Sequence, residues 1–386
     1  MRFISENQFI HLFSAPKYTF SSFIRRAKVK TNSTITPLLK YIENKSITLE
    51  DLRLLYEHII NRDEYLLRFY NTSLNVLNED GKIDLTMNVP PMKMKEMNND
   101  MMVRYKNVIR NMHYMDILKN TKSGIANLPS YLEVLDDLYL HWIIDYKILT
   151  PSSVHYLREG RIGSVFSSLF FRASIMNPVI PYSLAQNILR GKSNCSIFTP
   201  TLGWSSYCYG FLESPLVQEY VGTDVIRNVC NKTIQFAQRF YPEKDTTIFC
   251  TPSEDLMSSK GFSKKYSNHF DLVFFSPPYY RLEMYSGKNQ STTKYKNYQE
   301  WLENYWRNTM LLCYHVLKPG GKMCYILSGY GSENTNGGRY DLLKDMNGIA
   351  RVVFKNIVPQ VLSMYNKNVH VTTHRETEEK IVIFLK

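Results

Sequence analysis

At 386 residues the chain can bury a full core as one large or two moderate domains, and 44% hydrophobic with 21% charged residues is the balance of an ordinary soluble globular protein. A net charge of +12 at pH 7 points to a polyanionic partner. The six cysteines form no C-x-x-C pair, which speaks against a zinc site or a disulfide framework, and no apolar run reaches transmembrane length.

The first 33 residues carry a basic knot, Arg25-Arg26-Ala27-Lys28-Val29-Lys30, which reads as solvated surface or a phosphate contact. From about 34 to 72 the pattern is helical. Thr48 is placed as an N-cap with Glu50 and Asp51 in the first turn, and Leu52, Leu55, Tyr56 and Ile59 follow at helical spacing. Breaks come at Asn78-Glu79-Asp80-Gly81 and at Pro90-Pro91. Lys93, Lys95, Arg104, Lys106, Arg110, Lys119 and Lys122 then suggest one basic helical face, and Leu132 to Ile148 reads as a single buried helix. The expectation is a mainly helical domain over 1–150, ending at Pro151-Ser152-Ser153.

From about 160 strands alternate with helices, the pattern of βαβ units and a mostly parallel sheet. Strands are predicted at Cys195–Phe198, Glu219–Asp224, Thr246–Cys250, Asp271–Phe275 and Met323–Leu327, with further ones at Arg351–Val358 and Lys380–Leu385. A helix is expected around Tyr298–Leu317, and Lys318-Pro319-Gly320-Gly321 as the turn into the fifth strand. His315, on that helix, reads as structural.

The most informative stretch is His269 to Tyr280. Leu272–Phe275 is an uninterrupted apolar run that stops at Ser276-Pro277-Pro278-Tyr279. Two prolines stiffen that turn and donate no backbone hydrogen bond. A rigid polar turn at the carboxyl end of a central strand is where open α/β sheets bind ligands. The Ser276 hydroxyl and the Pro277 carbonyl are two fixed acceptors, able to hold both hydrogens of an exocyclic amino group so that its lone pair is directed, while Tyr279 stacks on the ring. Upstream, Gly203 follows the first strand, Asp224 ends the second about twenty residues later, and Ser253, Glu254 and Asp255 follow the third. That order suits a nucleoside: close backbone approach, an acid for ribose hydroxyls, then contacts for an adenine amino group.

Ser276-Pro277-Pro278-Tyr279 resembles motif IV of the amino-methyltransferases that modify N4 of cytosine or N6 of adenine in DNA. The resemblance runs over roughly 160–335. Phe171, Arg172 and Ser174 look like motif X; Thr199, Pro200, Gly203 and Trp204 like motif I; Asp224 and Val225 like motif II; Ser253, Glu254 and Asp255 like motif III. Tyr280, Arg281, Glu283, Tyr285, Gln290 and Ser291 continue a pattern similar to phage and large-DNA-virus enzymes. The resemblance implies a Rossmann-like class I methyltransferase sheet with helices on both faces over 151–386, the N-terminal helical domain being separate. It also implies S-adenosylmethionine as cofactor, bound by the motif X, I, II and III residues and Ser276, with catalysis at Ser276 to Tyr279 and substrate contacts from Tyr279 onward.

One departure stands out. Family motif I reads Asp-Pro-x-x-Gly-x-Gly, whereas here Thr199 replaces the acid and Ser205 the second glycine. Serine at the first motif IV position leans towards N4-cytosine, with N6-adenine close behind. RNA or a protein amide as substrate, or an inactive scaffold of the same fold, stay open. A duplex substrate implies base flipping; single-stranded DNA needs none. The 281–296 segment is a candidate to close over the target nucleotide, and 1–150 to supply DNA contacts or a homodimeric or heteromeric interface. No membrane association and no metal are expected, and the cysteine usage suits the cytoplasm or another reducing site, such as a nucleus or viral factory.

Overall fold

The computed structural model describes residues 2–123, 128–285, 289–328, 340–365 and 379–386. The chain divides into two compact units: Arg2–Asn75 with Tyr114–Ala173, and Val76–His113 with Ser174–Lys386. The expected divide at Pro151 falls inside the first of these, where Pro151–Arg158 is a helix capped by the Thr150 side chain.

The second unit is built on a seven-stranded sheet. In chain order its strands are β1 (Cys195–Thr199), β2 (Val217–Asp224), β3 (Asp245–Cys250), β4 (Phe270–Phe275), β5 (Leu317–Leu327), β6 (Gln360–Ser363) and β7 (Lys380–Leu385). Their order across the sheet is β6-β7-β5-β4-β1-β2-β3. All neighbours are parallel except β7, which runs antiparallel to both β5 and β6. The order runs outward from β1 through β2 to β3, then returns to the other side of β1 with β4, and helices lie on both faces. β4 lies at the centre with all six residues buried, which explains its continuous apolar sequence.

Six of the seven strands begin or end within a few residues of their expected positions. The expected strand at Arg351–Val358 is instead the end of a helix, Leu342–Val353, and the strand comes later, at Gln360–Ser363. Its buried Leu342, Met346 and Ala350 recur at i, i+4, a helical period that the β-branched Val352-Val353 pair masks. The Lys318–Gly321 turn is absorbed into β5 as an irregularity, with the register against β4 slipping between Leu317 and Lys322.

The other unit is mainly helical, with a small sheet in which Lys28–Lys30 pairs antiparallel with Ile35–Pro37 and parallel with Ile143–Asp145. Helix Leu49–Ile60 starts as expected, with Thr48 and Asp51 forming a reciprocal capping box. The single helix expected over Leu132–Ile148 ends at His141, because Trp142 turns left-handed (φ 53°) and the chain enters a strand. Nor do the seven cations between 93 and 122 share one helical face. Lys93 pairs with Glu96 at 3.5 Å and Lys106 lies buried 3.8 Å from Asp100, while Lys119 meets Asp136 and Lys122 lies 3.2 Å from Glu133. Among the described residues, no helix is long and apolar enough to cross a membrane.

Candidate active site

The carboxyl ends of β1 to β4 open on a cavity of about 220 Å³ in the sheet-bearing unit. Ser276, Pro277, Pro278 and Tyr279 all line it. The turn is held at both ends. The Ser276 N–H donates to the Tyr207 hydroxyl at 3.1 Å, and the Ser328 N–H, just after β5, donates to the Tyr279 hydroxyl at 3.1 Å. Burial keeps both phenols protonated by pushing their pKa values up. The Tyr279 ring is thereby fixed at the cavity wall by its far end.

The loop after β1 contains three successive left-handed residues, Gly203 (φ 50°), Trp204 (φ 59°) and Ser205 (φ 71°). Two of them are not glycine, so this is a strained segment held by its surroundings. Gly203 and Trp204 line the cavity. The reason for glycine differs from the expected one: a Cβ on Gly203 would lie 2.2 Å from the Tyr207 ring, so the close approach is to the protein's own tyrosine. Ser205, where the family has glycine, is buried, and its hydroxyl bonds His113 Nε2 at 2.9 Å and Thr233 Oγ1 at 2.6 Å. Those two partners hold the left-handed serine in place. Thr199, expected at the cofactor, turns instead towards β2, where its hydroxyl meets that of Tyr220 at 2.6 Å; Pro200 does line the cavity.

Asp224 and Val225 line the cavity at the end of β2. Asp224 Oδ1 accepts the Val225 and Ile226 N–H groups at 2.8 and 3.1 Å, and Oδ2 accepts the Leu202 N–H at 3.2 Å. A carboxylate offers about four acceptor positions, so roughly one is left, on Oδ2, rather than two for a pair of ribose hydroxyls. Burial raises the Asp224 carboxyl against those three N–H groups. After β3, Ser253 and Glu254 line the cavity while Asp255 does not. Lys294 Nζ binds Asp255 Oδ1 and Oδ2 at 2.9 and 2.7 Å and Glu254 Oε1 at 3.2 Å, and the Tyr295 hydroxyl donates to the same Glu254 oxygen at 3.2 Å. Burial raises Glu254, with Lys294 opposing it. Part of the 281–296 segment is thus latched onto the loop after β3; residues 286–288 lie outside the described residues.

On the substrate side, Glu283, Tyr285, Gln290 and Ser291 line the cavity, but Tyr280 and Arg281 do not. Tyr280 is buried among Tyr298, Trp301 and Tyr340, and Arg281 lies over the Tyr280 ring with one N–H on the Lys296 carbonyl at 3.3 Å. Glu283 accepts the Ser174 N–H at 2.9 Å and the Tyr285 hydroxyl, and burial raises its pKa. Ser174 also lines the cavity. Phe171 and Arg172 belong to the helical unit, where the Phe171 carbonyl accepts the Tyr131 N–H at 2.7 Å and Arg172 lies over the Tyr131 ring, 5.4 Å from its centroid.

Sequence reasoning missed several wall residues: Tyr207, Asn99, Tyr305, Met364 and Glu379. Tyr207 carried a usable signal, lying one helical turn beyond the first-loop glycine. Asn99 sits in a Met-, Lys- and Asn-rich stretch with no motif, and its Oδ1 accepts the Asn177 N–H at 2.7 Å. The lining has a clear charge: among the described residues it contains four carboxyl groups, Asp224, Glu254, Glu283 and Glu379, and no lysine or arginine.

No family model matches the chain, and no curated protein matches it either. Among solved structures, the [4+2]-cyclase SpnF is similar at 9% identity over 55% of this chain and 83% of that one, with a TM-score of 0.38. TrmN from Thermus thermophilus is similar at 10% identity over 55% of this chain and 49% of that one, with a TM-score of 0.33. An rRNA methylase from Streptococcus thermophilus is similar at 13% identity over 55% of this chain and 99% of that one, with a TM-score of 0.31. The strand order, not these distant likenesses, defines the class: a Rossmann-like class I methyltransferase sheet, β6-β7-β5-β4-β1-β2-β3 with β7 reversed.

Proposed function

We propose that the protein is an S-adenosylmethionine-dependent methyltransferase acting on an exocyclic amino group of a DNA base, with cytosine N4 ahead of adenine N6. The observation that carries this reading is one cavity lined by both the Ser276–Tyr279 turn and Asp224, at the carboxyl ends of β4 and β2.

The lining fits that cofactor. Among the described residues, four carboxyls and no basic residue on the wall, with only Glu254 paired to a lysine, Lys294, from outside it, suit a nucleoside carrying positive charge and leave a phosphate-bearing nucleotide without a counter-charge on the wall. Asp224 Oδ2 retains an acceptor position for a ribose hydroxyl, and the Tyr305 hydroxyl is buried with no hydrogen-bond partner among the described residues. When bound, the sulfonium supplies an electrophilic methyl group. The chain's own work is positioning. Tyr207 and Ser328 fix the turn, so that the Ser276 hydroxyl and the Pro277 carbonyl are presented without reorganisation to an amino group. Tyr279 offers a tethered ring on which a base can stack. The acidic wall also keeps the nucleic-acid backbone out, so that a single base enters, flipped from a duplex or drawn from a single strand.

The test is transfer of labelled methyl from S-adenosylmethionine to unmethylated duplex and single-stranded DNA, beside an RNA control, followed by nucleoside mass spectrometry. N4-methylcytosine or N6-methyladenine, lost on Ser276→Ala with cofactor affinity kept, is the expected result. Methylated RNA with unmodified DNA would replace the substrate, and equal activity of Ser276→Ala would remove the assigned role of the turn.

A further inference from the structure

We propose that Tyr305 is the group that recognises the adenine ring of the cofactor, its hydroxyl donating to a ring nitrogen. The inference rests on the cofactor assignment above and goes beyond it, since no motif in the sequence marks this residue.

Tyr305 comes from an unusual piece of helix. Trp301–Arg307 is a π-helix, continued by the α-helix Asn308–Val316. The wider turn is costly and recurs at functional sites. Here it buries three large aromatic residues with polar tips: Trp301, Tyr305 and Trp306. Two of the tips are satisfied. Trp301 Nε1–H donates to Ser291 Oγ at 3.0 Å, and Trp306 Nε1–H to the Met346 carbonyl at 2.8 Å. The third is not: the Tyr305 hydroxyl is buried, has no hydrogen-bond partner among the described residues, and belongs to a residue that lines the cavity. A buried hydroxyl without a partner carries its full desolvation cost, which a ligand can relieve.

The surroundings say what kind of ligand atom is missing. Burial pushes the Tyr305 phenol well above its ordinary range, so it stays protonated and can donate. Asp224 and Glu254 are among the charges that act on it. Those two carboxyls accept hydrogen bonds, matching a ribose hydroxyl and an exocyclic amine. Of the other hydroxyls on the wall, that of Ser253 meets Thr309 at 3.1 Å and that of Tyr207 takes the Ser276 N–H, while Thr201 Oγ1 is, like the Tyr305 hydroxyl, buried without a partner among the described residues. Between an amine and a ribose, adenine presents ring nitrogens, which accept only. Tyr305 supplies the matching donor.

The experiment is calorimetric binding of S-adenosylhomocysteine to the full chain and to Tyr305→Phe, with thermal unfolding of both in the absence of ligand. The expected result is about tenfold weaker binding by the variant, the worth of a buried hydrogen bond, and an unliganded melting temperature equal to or above that of the wild type. Opposite signs matter, because a purely structural hydroxyl would lower both. Among the 1-deaza, 3-deaza and 7-deaza analogues, one should lose the same factor on the wild type and nothing further on Tyr305→Phe, naming the acceptor. Unchanged affinity in Tyr305→Phe overturns the inference alone. No binding by the wild-type chain overturns the cofactor assignment, and this inference with it.

Discussion

The ring of Tyr207 fills the space in which a Gly203 side chain would stand, and its hydroxyl accepts the Ser276 N–H at 3.1 Å. One side chain therefore ties the loop after β1, where a cofactor would lie, to the turn after β4, where transfer would occur. Edge contact with Phe274 of β4, at 5.1 Å between centroids, anchors the ring between them.

Tyr207→Phe keeps the ring and removes the acceptor. The Ser276 N–H is then unpaired, and the turn loses about 1 kcal/mol of restraint. We expect turnover to fall several-fold with little change in cofactor affinity, read as a drop in kcat at constant Kd for S-adenosylhomocysteine.

Gly203→Ala should be far more damaging. Its Cβ would meet the Tyr207 ring at 2.2 Å in a backbone already at φ 50°, so the loop or the tyrosine must move. The expected outcome is a melting temperature lowered by several degrees and loss of cofactor binding. Pairing it with Tyr207→Ala should recover part of the stability, giving a non-additive double-mutant cycle; strict additivity would show that the two positions do not share the space.

Cofactor binding should depend on pH and on charge. Burial raises the Asp224, Glu254, Glu283 and Glu379 carboxyls, and a cationic ligand favours their ionised forms. Affinity for S-adenosylmethionine should therefore fall as pH is lowered from neutrality into the range of these raised acids. S-adenosylhomocysteine, which lacks the sulfonium charge, should respond less. Isothermal titration of both ligands between pH 5 and pH 8 compares them directly.

Stability should also decline with acid through a buried histidine of the helical unit. Burial lowers His58 from 6.5 to about 4, its Nε2 lying 2.7 Å from the Tyr139 hydroxyl. The unfolded chain binds a proton there below about pH 6.5, which the native state takes up only near pH 4, so stability is lost as pH falls through that window. The full effect is about 3 kcal/mol. Urea midpoints at pH 7 and pH 4.5 should differ less in His58→Gln than in the wild type.

Much of the sheet was legible because its strands are short apolar runs that end in glycine, proline or acid, and parallel strands buried on both faces have to read that way. The position of the Ser276–Tyr279 turn and Asp224 on the cavity wall was legible for a related reason: both sit at strand ends, where residue type follows from place in the fold. Tyr280 and Arg281 were misplaced because adjacent residues in a turn diverge, and nothing local says which of Tyr279 and Tyr280 faces the cavity. Thr199 was misplaced because its buried hydroxyl found a partner on the neighbouring strand, which a linear pattern does not reveal. Tyr305 was invisible for a third reason. A π-helix rotates its side chains off the helical period by which buried and exposed positions are told apart.

The division of the chain has a consequence for how the protein can be taken apart. The sheet-bearing unit takes Val76–His113 from before, and Ser174–Lys386 from after, a stretch that belongs to the helical unit. Neither unit is a continuous length of polypeptide: the helical unit is complete only at Ala173, and the sheet-bearing unit only once its last strand, Lys380–Leu385, has left the ribosome. A cut at residue 150 would leave Pro151–Ala173 without the rest of its own unit. It would also remove Asn99 from the cavity wall and His113 from Ser205. The boundary suggested by composition is thus a poor place to divide the gene, and the two units are best treated as a single heritable piece.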